Sequence, residues 1–331
     1  LGDFFISEVF ASAVKERAQT MNHSPIEPST LKELQDALTQ ILGAQNVLTN
    51  EPMARHATFK IGGPADILAT PQNAEQITRT VQLCKESSIP WRVIGLGSNI
   101  LVSDAGLRGV TIKIGKGFSE VRVEGTKIIA QAGASNASIA ATAKRAGLAG
   151  YEFAAGIPGT VGGAAIMNAG AYGGEFCQAC ESVLCLRPNG NVERVSAAEA
   201  NWSYRHSQMM DDGSIVLEAT LQLTPDDPSA IQARMNDLRQ RREDKQPLNM
   251  PSAGSTFKRP EGYFAGKLIE DAGLRGYRCG GAQVSQKHCG FVVNAGGATA
   301  QDVCDLIAHV QEAVYERDGV HMEPEIRMWG F

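Results

Sequence analysis

Short apolar runs joined by glycine-rich loops dominate residues 57 to 225, and helical runs take over from residue 228, a change that predicts a domain boundary near 226. Ahead of the strands, a helix is expected from Thr30 to about Leu42, opened by Thr30 and Glu33 as a capping box. "ATFKIGGPADILAT" (57–70) reads as strand, Gly-Gly-Pro turn and strand, followed by a helix capped by Asn73 with Gln76 three residues on. "WRVIGLGSNILVSDAGLRGVTIKIG" (91–115) reads as two or three short strands, and "VRVEGTKIIAQAGAS" (121–135) as a hairpin. A helix over 136–146 closes at Gly147, and "SVLCLRPNGNVERVS" (182–196) turns at Asn189-Gly190. After the strand "SIVLEATLQLTP" (214–225) come helices at 228–242, 263–272 and 299–317, the strand "GFVVNAG" and a last strand "EPEIRMW".

The chain of 331 residues is long enough for two or three domains, and its 43% hydrophobic and 20% charged shares are ordinary for a soluble enzyme. A net charge of −5 argues against nucleic acid as the main partner. No apolar run is long enough to cross a bilayer, and Asp3 and Glu8 interrupt the start where a signal peptide needs an apolar stretch. Seven dispersed cysteines fit a reducing compartment, so a cytoplasmic location is expected. Cys177 and Cys180 have metal-like spacing, but no second pair completes a site, and no metal is expected. Residues 1–28 look loosely organised, with Met21 as an alternative start.

Two loops fit phosphate binding: Gly95-Leu-Gly97-Ser98-Asn99 after an apolar strand, and Gly156-Ile157-Pro158-Gly159-Thr160-Val-Gly162-Gly163 further on. Glycine lets backbone N–H groups approach a pyrophosphate, and Ser98, Asn99 and Thr160 add donors. Neither loop matches a P-loop or a Rossmann fingerprint, and a tight turn is the better account of a single glycine loop; two such loops in one β-rich domain put the ligand reading level with it, without identifying the ligand. In "AGSTFKRP" (253–260), Ser255 has no hydrolase elbow and no nearby base, which argues against a nucleophile and leaves a turn-forming hydroxyl as the local reading.

Taken in order, "TFKIGGPAD", "GLGSNILVSDAGLRGV", "GIPGTVGGAAIMNAGAYG", "SYRHS", "AGSTFKRP", "LIEDAGLRG", "VSQKHCGFVVN" and "EPEIR" resemble the UDP-N-acetylenolpyruvoylglucosamine reductases, the MurB family of peptidoglycan synthesis. The resemblance runs from about residue 30 to the C-terminus. It implies an α+β fold: a two-subdomain FAD-binding fold of the vanillyl-alcohol-oxidase type plus an α+β substrate-binding domain. The expected units are 1–28 (extension), 29–112 and 113–226 (FAD subdomains), 227–318 (substrate domain) and 319–331 (a strand returning to the active site). Only 50 residues separate Arg205 from Ser255, like the shorter, type II branch that lacks an extra substrate-covering loop.

The family's reaction has NADPH as co-substrate and non-covalent FAD as cofactor, and reduces UDP-N-acetylglucosamine enolpyruvate to UDP-N-acetylmuramate by hydride transfer from flavin N5. By the same resemblance Arg205 stabilises the developing carboxylate charge, a task suited to a planar guanidinium. Ser255 matches the proton donor to the enolate carbon. Glu325 matches the family's acid, acting either neutral or as an anion that orients Arg205. Tyr204 and Lys245 carry over as substrate-binding residues, Lys245 toward the nucleotide diphosphate; Arg239, Arg241 and Arg242 add local positive charge beside it, with solvated helix charges as their plainer reading. Arg259 stands where some relatives have asparagine and carries no family contact.

Two other readings compete. Another FAD enzyme of the same scaffold, acting on a small alcohol or hydroxy acid, would explain the glycine loops without the C-terminal motifs. A non-catalytic UDP-sugar-binding protein would bind the sugar without flavin. A monomer is expected.

Overall fold

The computed structural model describes residues 26–331, so most of the expected extension, with Met21 and the acidic residues near the start, lies outside the described residues. Helix α1 (Pro28–Leu42) begins earlier than the sequence predicts, and the Thr30 capping box does not form. Pro28, with its fixed φ, starts the helix at its first position, which leaves Thr30 inside the first turn with no cap to make. Leu34, Leu38 and Leu42 form its buried stripe.

Strands β1 (Val47–Pro52) and β2 (Pro64–Ala69) follow. The strand expected over 57–61 is absent: the chain turns through Lys60 at φ 59° instead. Its alternating apolar residues are buried all the same, since Phe59 and Ile61 enter the apolar core of the C-terminal region. Burial periodicity was a true signal there, but the partner is the core of the C-terminal region rather than a strand edge. Helix α2 (Ala74–Glu86) starts as expected, with the Asn73 side chain accepting from the Gln76 N–H.

Three short strands come next: β3 (Trp91–Ile94), β4 (Ile100–Val102) and β5 (Leu107–Lys113). The first sheet has the order β1-β2-β5-β3, antiparallel between β1 and β2 and parallel elsewhere. The hairpin β6 (Val121–Glu124) and β7 (Lys127–Gln131) leads to α3 (Asn136–Arg145), which ends at Gly147 in the left-handed region, φ 65°. After α4 (Val161–Ile166) come β8 (Cys180–Leu186), β9 (Val192–Ser196) and β10 (Ile215–Gln222). They complete an antiparallel sheet of order β9-β8-β10-β7-β6. One apolar core runs through both sheets, from Leu34 to Leu223.

Helix α5 (Pro228–Lys245) runs three residues beyond its expected end at Arg242. The C-terminal region holds α6 (Ala265–Asp271), a small antiparallel sheet of β11 (Arg278–Cys279), β12 (Ala282–Val284) and β13 (Val292–Asn294), and α7 (Ala300–Asp318). Thr299 and Asp302 form a reciprocal capping box at the start of α7. Strand β14 (Arg327–Trp329) is shorter than "EPEIRMW" suggests and pairs in parallel with β4. That pairing carries the chain's end back to the glycine loop between β3 and β4.

Candidate active site

A cleft of about 1930 Å³ separates the two glycine loops from the C-terminal region. Single-ligand pockets span about 300–1,000 Å³, so this one has room for more than one ligand. Its lining includes Gly95, Gly97, Ser98 and Asn99 from the first loop and Ile157, Pro158, Gly159, Thr160, Gly162 and Gly163 from the second. Gly156 lies outside the lining, with the Arg242 side chain against it.

The loops are fitted to each other. The Ser98 hydroxyl donates to the Pro158 carbonyl at 2.8 Å, and a Cβ on Gly95 would stand 2.3 Å from Thr160 Oγ1. Gly97 adopts φ 70°, and a Cβ there would meet the His56 carbonyl oxygen at 2.1 Å. The Gly162 N–H donates to the Ala132 carbonyl at 3.0 Å, and its Cα packs against Ala132, so this glycine serves packing. By contrast, the backbone N–H groups of residues 95–99, Gly159 and Thr160 donate to no protein acceptor among the described residues. Such a set of free donors on loops without side-chain bulk suits a pyrophosphate, which is the fit that FAD requires.

Asn99 has a further task. Its side-chain amide donates to the Glu325 carbonyl at 3.2 Å, and its own carbonyl accepts from the Arg327 N–H at 3.0 Å. The loop thereby grips the segment that carries Glu325.

Arg205, Ser255 and Glu325 line the same cleft as the loops. Arg205 Nε donates to Glu325 Oε1 at 2.7 Å, and Nη2 donates to the Gly170 carbonyl at 3.3 Å. Both side chains are largely buried, at 21% and 12% exposure, so this pair escapes most of the screening that weakens surface ion pairs. Burial pushes the Glu325 carboxyl above the usual carboxylate range, and the Arg205 charge and hydrogen bond only partly offset it.

Arg205 sits at φ 57°, a left-handed backbone that costs a non-glycine residue about 1–2 kcal/mol. The turn is held from below. Ser203 and His206 exchange both backbone hydrogen bonds, and the Ser203 carbonyl accepts from the buried Asn168 amide at 3.1 Å. Trp202 Nε1 and the Ser207 hydroxyl donate to the Ala165 and Ile166 carbonyls on α4. A strained arginine fixed on both sides of its turn is the pattern seen at functional sites.

Ser255 is placed by its neighbour. Thr256 donates its N–H to the Gly290 carbonyl, and its carbonyl accepts from the Glu325 N–H, both at 2.8 Å. Ser255 and Glu325 thus sit on adjacent hydrogen-bonded segments, 70 residues apart in the chain. The Ser255 hydroxyl is exposed to the cleft and bonds no protein group among the described residues. Glu323 and Glu325 both precede β14, and Glu323 pairs at the surface with Lys258 at 2.7 Å.

Tyr204 also lines the cleft, half exposed, with the Arg205 guanidinium 5.2 Å from its ring centre. Its hydroxyl accepts from the Arg259 N–H at 3.3 Å, while the Arg259 guanidinium stacks 4.0 Å from the Phe264 ring. Lys245 is exposed and lies outside the cleft lining, although the next residue, Gln246, lines it. Sequence reasoning did not single out Asn168 or Arg327, and it named Arg242 only together with Arg239 and Arg241 as local positive charge; Arg242 and Arg327 both line the cleft. Asn168 and Arg327 lie inside the motifs quoted above, so position in a motif was the available signal; for Arg242 it was the basic cluster before Lys245, which does not separate one arginine from the others.

Among the described residues, no three His, Cys, Asp or Glu side chains gather as a metal site. All seven cysteines are free thiols, and burial lifts Cys84 and Cys185 to about 12. No helix among the described residues is long and apolar enough to cross a membrane.

Comparison with known proteins agrees with this geometry. An FAD binding domain model matches residues 65–196, and the model of the UDP-N-acetylenolpyruvoylglucosamine reductase C-terminal domain matches residues 246–329. The chain is 49% identical over 298 residues to the UDP-N-acetylenolpyruvoylglucosamine reductase of Clostridium beijerinckii, covering 90% of this chain and 98% of that one. It is 50% identical over 297 residues to the enzyme of the same name from Caldanaerobacter subterraneus, with the same coverage. The crystal structure of the Thermus caldophilus reductase superposes with a TM-score of 0.74 at 34% identity, over 86% of this chain and 98% of that one. On this identity and coverage, the chain belongs to the UDP-N-acetylenolpyruvoylglucosamine reductase family.

Proposed function

We propose that this protein reduces the enolpyruvyl ether of UDP-N-acetylglucosamine to the lactyl ether, using NADPH and FAD held in the cleft. The observation that carries the proposal is the meeting of the Arg205–Glu325 pair and the Ser255 hydroxyl in one cleft with two glycine loops rich in free N–H donors. FAD, held by the two glycine loops, would supply the two-electron hydride chemistry between NADPH and the terminal carbon of the substrate alkene.

The chain's own residues handle what remains. As hydride reaches the alkene, negative charge gathers on the neighbouring carbon and its carboxylate. Arg205, aimed by Glu325 and the Gly170 carbonyl, offers a pre-oriented cation to that charge. The 2.7 Å contact favours the anionic role of Glu325, orienting the guanidinium, over the neutral one. Ser255 then gives its hydroxyl proton to the carbon that bears the charge, and solvent restores it. A neutral hydroxyl adds no standing negative charge beside the developing anion. Tyr204 and Lys245 are assigned to the substrate side, Tyr204 from its place in the lining and Lys245 from its motif position.

In this proposal residues 29–112 and 113–226 form the FAD subdomains, 227–318 the substrate domain and 319–331 the returning strand. The proposed site is complete within one chain, and a monomer is proposed. The free cysteines support a reducing, cytoplasmic setting.

The purified holoenzyme tests the reading by its visible spectrum. NADPH should bleach the flavin without air, and the enolpyruvyl UDP-sugar should restore the colour. Bleaching followed by recovery with oxygen or a small carbonyl compound, and none with the UDP-sugar, would overturn it.

A further inference from the structure

Helix α5 carries four arginines, and three of them have carboxylate partners. Arg234 binds Glu152 at 2.8 Å and Asp226 at 2.6 Å, Arg239 pairs with Glu243 at 3.2 Å, and Arg241 pairs with Asp237 at 2.9 Å. Arg242 differs: among the described residues no carboxylate lies within ion-pair distance of it, and it faces the cleft instead of solvent. Its stem rests against the second glycine loop, where a Cβ on Gly156 would stand 3.1 Å from Arg242 Cδ. Glycine at 156 is what lets the side chain lie so close. Burial pulls the guanidinium below its ordinary range, with Tyr172 acting the other way.

A half-buried cation without a carboxylate partner gives up hydration with no ion pair to offset the loss. A guanidinium fork matches two phosphate oxygens, and charge-assisted contacts of that kind are among the stronger hydrogen bonds. The cleft is meant for nucleotides, and Arg242 stands where its loops and its C-terminal wall meet. We infer that Arg242 is a phosphate-binding residue of this cleft, its guanidinium holding a phosphate of a nucleotide ligand. The choice among FAD, NADPH and the UDP-sugar rests on the proposed reductase reading.

The test uses Arg242→Gln and Arg242→Lys in the holoenzyme. Titration calorimetry with UDP and with NADP⁺, and flavin fluorescence released on dilution, give three dissociation constants that separate the sources. Arg242→Gln should weaken one of them by about tenfold or more at unchanged melting temperature. Arg242→Lys, which keeps the charge but loses the fork, should fall between. Added salt should weaken the wild type more than Arg242→Gln.

Three constants within about twofold of wild type would overturn the inference. So would a uniform loss in all three with a lower melting temperature, which marks a packing role. If Arg242→Gln does not accumulate folded, Arg242→Lys decides by the same criteria. Binding needs no turnover, so the two readings fail separately. Wild type that binds these ligands but is not reoxidised by the UDP-sugar loses the reductase reading alone, whereas normal turnover with unchanged constants loses Arg242 alone.

Discussion

The two walls of the cleft are built from different materials. The loop wall is backbone: glycines, free N–H groups and side chains such as Ser98 and Asn99 that are spent on holding the loops and the Glu325 segment. The other wall is side chain: Arg205, Ser255 and Glu325, each fixed through its own or its neighbour's backbone. Backbone donors suit a permanent guest whose phosphates never change charge. Side-chain groups suit a reaction, in which charge appears and a proton moves. Substitutions on the loop wall should therefore cost cofactor, and those on the other wall should cost single steps.

The largest effect belongs to the loops. In Gly97→Ala the new methyl meets the His56 carbonyl at 2.1 Å in a left-handed conformation, so the loop must move. Strain and overpacking together cost roughly 2–5 kcal/mol. The protein should purify with little flavin, read as the ratio of visible to ultraviolet absorbance. Gly163→Ala makes the contrast: the nearest atom to its Cβ is Thr160 Oγ1 at 3.8 Å, and the position is exposed to the cleft. Thermal stability without flavin should hold, while flavin affinity falls because the methyl occupies the ligand's space. Equal stability loss in both variants would erase the distinction between packing and cradle glycines.

On the other wall, Ser255→Ala should leave flavin reduction by NADPH intact and slow reoxidation by the enolpyruvyl sugar by about 10²–10⁴-fold. Stopped-flow absorbance separates the two half-reactions, and parallel losses in both would assign the serine a structural role instead.

Glu325 should leave a mark on pH dependence. Its carboxyl is raised above the ordinary 4.5, so the ionised form that aims Arg205 is lost on acidification at a pH above that value. Reoxidation should decline there, and Glu325→Gln should remove that inflection along with most of the rate. The stability sign is opposite to that of a surface ion pair. The folded state binds this proton more tightly than the unfolded one, so the contribution is complete below 4.5 and disappears as pH rises through the raised value.

Legibility in the sequence followed the same division. Helix and hairpin positions were readable where local chemistry decides them, as at Asn73, at Gly147 and in the 182–196 hairpin. Thr30 misled because Pro28 begins the helix first, and 57–61 misled because its apolar alternation answers to a distant core. The catalytic candidates came from ordered motifs, since nothing in spacing links Arg205 to a glutamate 120 residues away. Arg242 could not be told from its neighbours for a related reason: four arginines on one helix look alike until the fold gives three of them carboxylates.

The smallest expected effect tests the outer edge of the side-chain wall. Tyr204 is 49% exposed, and its hydroxyl makes one long contact, with the Arg259 N–H at 3.3 Å. Water replaces that bond readily, so Tyr204→Phe should change stability by no more than about 0.5 kcal/mol. The ring remains, and with it the 5.2 Å approach of the Arg205 guanidinium. Tyr204→Ala removes the ring as well, and an exposed cation–π contact is worth about 0.5–1 kcal/mol. The expected order in KM for the UDP-sugar is wild type close to Phe, with Ala raised about two- to fivefold. If Phe is as impaired as Ala, the hydroxyl itself touches substrate. The side-chain wall would then extend one residue beyond the Arg205–Glu325 pair.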